Sequence, residues 1–180
     1  NTFTPPLNTP LTDSLFLYVY TTLQGDTVQS NDTSFVKIKV LPAKNLQVVN
    51  TNAITERCKL LSQPVSAVLK NVGEKPITDT DNISLTYEVA GRPDLTVTEQ
   101  LHLPYTDATG TYPTIQKNAQ ITYTFTHLAN LYRLGLNDTT WRMRTYAAFT
   151  TDHVKTNDTS AYITINSRRS PNSPVAYNDT

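Results

Sequence analysis

Carboxylate and amide oxygens recur twice on one spacing in this chain: Asp26, Asn31 and Asp32, then Asp152, Asn157 and Asp158. Oxygens crowded onto a short loop suit a hard cation, and Ca2+ takes about six to eight such ligands. The same residues are also habitual turn formers, because Asn and Asp side chains accept hydrogen bonds from nearby backbone N–H groups and tolerate left-handed backbone. Neither triplet shows EF-hand spacing or the bidentate Glu that closes such a site, which favours the turn. Calcium at these six residues is the competing expectation. Asp79-Thr80-Asp81-Asn82 is another oxygen-rich stretch and reads, on the same grounds, as a solvated turn.

Other chemistry is sparser. His102, His127 and His153 lie far apart with no HExxH or comparable spacing, so they read as surface residues. Cys58 is the single cysteine, which rules out an intrachain disulfide and a cysteine-based metal cluster; it reads as a small apolar residue at a strand edge. The five glycines form no phosphate-binding loop, and no GxSxG elbow is present. Nothing here points to an enzyme. Tyr105, Tyr112 and Tyr132 fall between the alternating runs and could offer flat rings to a glycan ligand, whereas Trp141 alternates with Met143 and reads as core. Asn-x-Ser/Thr sequons stand at Asn31, Asn82, Asn137, Asn157 and Asn178.

The elements that must carry these residues are strands. About one residue in six is threonine, and tyrosine outnumbers phenylalanine ten to five, both types suited to a pleated, half-buried surface. Fifteen basic and fifteen acidic side chains balance, so nucleic acid is not an expected partner. No apolar run is long enough for membrane insertion of this segment. Low charge and high Thr and Asn content lean toward an extracellular or cell-surface setting. Asn1 opens directly into polar sequence, so the numbering is expected to start within a longer polypeptide.

A repeat organises the chain. Tyr20 through Ser34 aligns without gaps on Tyr146 through Ser160, an offset of 126 residues, with Tyr, Asp, Val, Asn, Asp, Thr and Ser coinciding. Upstream, Leu15, Leu17 and Val19 alternate as Trp141, Met143 and Thr145 do. Downstream, Val36, Ile38 and Val40 are out of step by one residue with Ala161, Ile163 and Ile165, which requires a bulge or an indel. A period of this length is a whole domain. Residues 1–42 are then the C-terminal portion of one repeat, 43–166 a complete repeat, and 167–180 a linker and the opening of the next, 168–180 being also a candidate strand donor. Within the complete copy, strands are expected at 46–49, in an extended stretch over 57–61 and 65–70, through Ile83, Leu85, Tyr87 and Val89, over 95–103, through Ile121, Tyr123 and Phe125, around Trp141 to Tyr146, and at 161–165. Residues 127–136 read as a loop, and so does the stretch holding Pro104, Asp107, Gly110 and Pro113. About seven short strands with one apolar face argue for a two-sheet, immunoglobulin-like β-sandwich. Leu15, Leu17, Val19, Val36, Ile38 and Val40 are expected to form one buried face with the following domain, with another copy, or with both.

Val65-Ser-Ala-Val-Leu-Lys-Asn71-Val-Gly73-Glu-Lys-Pro76-Ile, Thr122-Tyr-Thr-Phe125 and the closing Asp152-x4-Asn157-Asp158-Thr159 together resemble the CARDB-like, fibronectin-III-like domains of large Bacteroidota surface and type IX secreted proteins. The resemblance covers residues 45–166, with 1–42 repeating the last part. It implies a spacer or adhesive module; the expected partners are neighbouring copies of the same repeat or chain, and no cofactor is expected apart from the competing calcium reading above. The other function compatible with it is a carbohydrate-binding or accessory module of a secreted enzyme. It also implies O-glycosylation at Asp-Ser/Thr-aliphatic or Asp-Thr-Thr positions, which are Ser14, Thr27 and Thr139.

Overall fold

The computed structural model describes residues 14–21, 24–25, 27, 33–39, 41–53, 56–58, 60, 62–131, 139–152 and 154–168. The chain is all-β: among the described residues helix is confined to two 3-10 turns, Asp79–Asp81 and Lys155–Asn157. None of it is long and apolar enough to cross a membrane as a helix. Asn1–Pro42 and Ala43–Thr180 form two compact units.

In the first unit β1 (Ser14–Tyr20) and β2 (Thr33–Lys39) pair antiparallel along their whole length, from Ser14 opposite Lys39 to Tyr20 opposite Thr33. The hairpin by itself leaves Leu17, Val19, Val36 and Ile38 exposed, at 39 to 58%. The hairpin alone therefore supplies no cover for the face expected to be buried against the following domain, another copy, or both. The reason is elementary: two strands make one layer, and a layer cannot bury its own face. The side chain of Leu15, and Val40, lie outside the described residues.

The second unit contains β3 (Leu46–Ala53), β4 (Glu56–Cys58), β5 (Val65–Asn71), β6 (Ile83–Val89), β7 (Arg92–Leu101), β8 (Tyr105–Asp107), β9 (Gly110–Tyr112), β10 (Gln120–Thr124), β11 (Thr139–Ala148) and β12 (Ile163–Arg168). One sheet has the order β10-β5-β3, a second β4-β12-β11-β6-β7, and β8-β9 is a small hairpin. All pairings are antiparallel except β4 with β12, which run parallel.

Alternation explains which faces are buried. Ile83, Leu85, Tyr87 and Val89 of β6, Trp141 and Met143 of β11, and Ile165 of β12 share one apolar core with Val48, Val65, Ala67, Leu69, Ile121 and Tyr123 of the three-stranded sheet. Phe125 meets both Tyr87 (5.0 Å) and Tyr123 (5.2 Å) edge-on, the arrangement ring quadrupoles favour. Burying each large aliphatic side chain contributes about 1.5–3 kcal/mol. Three buried hydroxyls lie within this core: Thr51 Oγ1 is 2.8 Å from Thr145 Oγ1 and 2.7 Å from Ser160 Oγ, so each is satisfied. In β3 the register shifts between Val48 and Asn50, which leaves Val49 exposed and lets Leu46, Val48 and Thr51 all face inward. The first strand thus runs past 49.

Several local expectations change. Residues 57–61 do not lead into 65–70 as one stretch: Glu56–Cys58 belongs to the other sheet, beside β12. The stretch from Pro104 to Pro113, read as loop, holds the β8-β9 hairpin. The last strand is displaced from 161–165 to Ile163–Arg168.

The two closing hairpins share a register over part of their length. Tyr20 pairs with Thr33, and Tyr146 bridges Thr159 at the same offset. Further along, Leu15 pairs with Ile38, but Trp141 pairs with Ile165 and not with Thr164. The second hairpin therefore gains one residue between Thr159 and Ile163, so Val36 and Ile38 correspond to Ile163 and Ile165, a slip opposite in direction to the alignment that set them against Ala161 and Ile163.

The Asn71-Val-Gly73 motif has a packing reason. Asn71 is fully buried, its amide donating to the carbonyls of Lys75 (2.9 Å) and Ile115 (2.8 Å) while its oxygen accepts from Gly73 N–H (2.9 Å). Gly73 lies against the backbone entering β3: a Cβ there would stand 2.6 Å from Asn45 N and 2.8 Å from Lys44 Cα.

Candidate functional site

The closing acidic loop follows β11. Phe149 is buried at its start, and the chain returns through the Lys155–Asn157 turn to the Tyr146–Thr159 bridge, with Ala147 N–H donating to Asp158 O (2.8 Å). Asp152 and Asp158 are each only 5% exposed. Asp152 accepts Leu46 N–H on Oδ2 (2.9 Å) and Val154 N–H on Oδ1 (2.8 Å), so its carboxylate joins this loop to the first residue of β3. The Asn157 amide meets Asn45 Oδ1 at 2.9 Å. Burial, reinforced by the charge of Asp152, pushes the Asp158 carboxyl up to about 6, against the opposing pull of Lys155. Lys155 Nζ stands 3.8 Å from Asp158, donates to Phe149 O (2.8 Å) and lies over the Phe149 ring.

This arrangement is a network of turn bonds. Both oxygens of Asp152 already hold N–H donors, and among the described residues no three His, Cys, Asp or Glu side chains converge as metal ligands. Asp26, Asn31 and Asp32 lie outside the described residues.

The Asp79–Asn82 stretch departs from a plain solvated turn. Asp79, Thr80 and Asn82 are exposed, but Asp81 is buried. Its carboxylate takes Lys44 Nζ at 2.5 and 2.7 Å, Thr78 N–H at 2.8 Å and Thr151 Oγ1 at 3.1 Å. Burial would raise this acid; Lys44, Thr78 and Thr151 outweigh it and hold it below its ordinary value. The charge is tolerated because its partners neutralise it.

Among the histidines, His102 is exposed with Nδ1 3.5 Å from Asp79, and His127 is exposed with Nδ1 2.7 Å from Glu99. His153 lies outside the described residues, as do Tyr132 and the sequons at Asn31, Asn137 and Asn178. Tyr105 and Tyr112 are half-buried against the core; Tyr105 lies 5.4 Å from the Tyr123 ring, and Tyr112 Oη meets Thr109 Oγ1 at 2.6 Å. Trp141 is buried. Asn82 is exposed and Asn157 half-buried. Thr27 is exposed, Ser14 opens β1 and Thr139 opens β11. Cys58 ends the edge strand β4.

Glu99 is the residue that sequence reading passed over. On β7 it alternates in register with the inward Leu95, Val97 and Leu101, an acid in an apolar row, and its side chain is 9% exposed. Its Oε1 accepts from His127 N–H (2.8 Å) and Thr126 Oγ1 (2.8 Å) and lies 2.7 Å from His127 Nδ1; its Oε2 accepts from Tyr123 Oη (2.8 Å) and Thr126 N–H (3.0 Å). Burial alone would raise this acid, but the N–H groups of Thr126 and His127, the His127 ring and the Tyr123 hydroxyl bring it down to about 2. It ties edge strand β7 of one sheet to the end of edge strand β10 of the other.

The outer edge of β10 is closed by further side chains and not by a strand. Asp107 Oδ2 accepts Thr122 N–H (2.8 Å), Tyr105 Oη accepts Thr124 N–H (3.0 Å), and Tyr105 Oη donates to Thr122 O (3.2 Å). Open backbone groups on a sheet edge are templates for pairing with another chain, and here they are occupied. No protein-family model and no curated protein matches the chain.

Proposed function

We propose that this chain is a structural and adhesive tandem β-sandwich module of an extracellular bacterial surface protein or filament. The observation that carries the reading is strand order. A β10-β5-β3 sheet sharing its core with a β4-β12-β11-β6-β7 sheet is what an immunoglobulin-like or fibronectin-III-like sandwich requires, its first strand divided between the two sheets. This supports the CARDB-like resemblance. The offset shared by Tyr20–Thr33 and Tyr146–Thr159 supports tandem copies, with 43–166 complete and 1–42 the closing part of another.

The mechanical sense of such a module follows from β4 and β12. They are parallel neighbours, so tension entering ahead of β4 and leaving after β12 slides one along the other and loads their hydrogen bonds together. Single-molecule extension of the full chain tests this. One cooperative rupture is expected from the second unit, releasing about 3.5 Å of contour per residue. Arg57→Pro or Ser167→Pro, which place a residue without an N–H in this pair, are expected to lower the rupture force. Extension without a resolved rupture, or a force indifferent to both substitutions, removes the mechanical reading.

A further inference from the structure

The hairpin β1-β2 has an internal counterpart that identifies what covers it. In the second unit, β11 is flanked by β6, from Met143 opposite Val89 to Ala148 opposite Ser84. Its inward residues Trp141, Met143 and Thr145, with Ser160 and Ile165, are buried in or beside the core shared with β3, β5 and β10. The matching positions of the first hairpin are Leu15, Leu17, Val19, Ser34 and Ile38, apolar at every place but the one where serine meets serine. The edge of β1 that corresponds to the β6 side is Ser-Leu-Phe-Leu-Tyr-Val-Tyr, without charge, proline or glycine, so nothing in it resists strand addition.

We infer that β1-β2 docks into a second copy of this chain at the place β11-β12 occupies there, with β1 along the edge of β6 and the Leu17, Val19, Ile38 face on the β3-β5-β10 sheet. This rests on the tandem-module reading and names its partner surface. The contact is heterologous, hairpin of one copy into sheets of the next, so it propagates from chain to chain. The resident hairpin is the better fit, since Leu15 and Leu17 replace the larger Trp141 and Met143; exchange therefore needs the acceptor to open.

The outward positions supply the control. Phe16, Tyr18 and Phe35 form an exposed ring cluster where β11 and its neighbour carry Arg142, Arg144 and Ala161. They are apolar and exposed but face away from the inferred contact.

The full chain is refolded from denaturant at low and at high protein concentration, and mass is read by light scattering after size separation. Oligomers are expected to grow with refolding concentration. The pair Leu17→Asp and Ile38→Asp is expected to suppress them by more than about tenfold, since a charge set into an apolar contact costs well over the ~1.4 kcal/mol that a factor of ten represents. The pair Phe16→Ser and Phe35→Ser is expected to leave them. In the monomer fraction of every variant, buried Trp141 reports that the second unit is folded. In the oligomer, amides of β11 are expected to lose hydrogen-exchange protection while those of β6 keep it. A chain monomeric at all concentrations, oligomers unaffected by the inward pair or equally lost with the outward pair, or β11 amides still protected, each overturns the inference. A monomeric chain that still ruptures cooperatively under force overturns the docking alone and leaves the module reading standing.

Discussion

Glu99→Gln separates a solvated surface acid from one that fastens two sheet edges. The carboxylate is held at about 2, against an ordinary 4.5 for a free glutamate. That difference corresponds to roughly 3 kcal/mol. A depressed acid stabilises in its ionised form, so the contribution is complete above about pH 4.5 and is lost as pH falls from there through 2. At neutral pH, Glu99→Gln is therefore expected to cost about 2–3 kcal/mol, because glutamine keeps one acceptor oxygen but turns an NH2 group toward Tyr123, Thr126 and His127. Guanidinium unfolding followed by Trp141, the single tryptophan, measures it. The gap between wild type and variant is expected to close as the pH is lowered to 2.5. Most of the donors are neutral (two backbone N–H groups and two hydroxyls), so moderate salt is expected to leave the gap intact, unlike a surface ion pair. A cost below about 0.5 kcal/mol at pH 7, the range of ordinary surface substitutions, or a gap unchanged by pH, refutes the reasoning.

Gly73→Ala is expected to cost about 1–3 kcal/mol in thermal or chemical unfolding, because the added methyl meets the backbone of Lys44 and Asn45, which no rotamer change relieves. Tyr105→Phe removes the acceptor of Thr124 N–H and the donor to Thr122 O; a small loss of stability with a clear rise in aggregation on agitation is expected, whereas a variant as soluble as wild type would leave the β10 edge protected by something else. EDTA is expected to leave the melting temperature unchanged. A clear rise on adding calcium would return the cation to Asp152, Asn157 and Asp158. Asp158→Asn is expected to stabilise the fold above pH 6: an acid raised from 3.8 to about 6 is favoured protonated, so its ionisation withdraws stability between those values, and the amide does not ionise.

What could be read in the sequence is what local pattern encodes. The alternation of Ile83, Leu85, Tyr87 and Val89 states which face of β6 is buried, and all four are. The aligned stretch carries part of the pairing, since Tyr20–Thr33 and Tyr146–Thr159 keep one offset, but period-two alternation does not fix the direction of the slip beyond it, and Ile38 corresponds to Ile165 where the alignment set it against Ile163. What escaped depends on partners remote in sequence. Cys58 has Arg168 opposite it in a parallel pair, and no periodicity in 56–61 announces a change of sheet. Asp81 has the signature of a solvated turn and is buried because Lys44, 37 positions away, neutralises it. Glu99 stands in register with the inward Leu95, Val97 and Leu101, a signal the sequence does carry, but the donors that hold its charge are set by where β10 ends.

The doubled Asp-x4-Asn-Asp-Thr spacing acquires a meaning that needs no metal. In the second unit these residues connect its end to its beginning: Asp152 binds the N–H of Leu46, the first residue of its first strand, and Asn157 meets Asn45 just before it. Gly73 packs against the same entry at Asn45 and Lys44, Val72 N–H donates to Asn45 O (2.9 Å), and Lys44 reaches Asp81. The entry to β3 is thus held by three separate segments, each ordered by its own turn residues. Among the described residues this opening strand pairs only with β5 and has no strand on its other edge, so without such bonds it is expected to be the element first lost under heat or tension. Fixing the opening strand through the closing loop makes the two ends of the second unit depend on each other, and a unit so tied is expected to lose its first and last strands together.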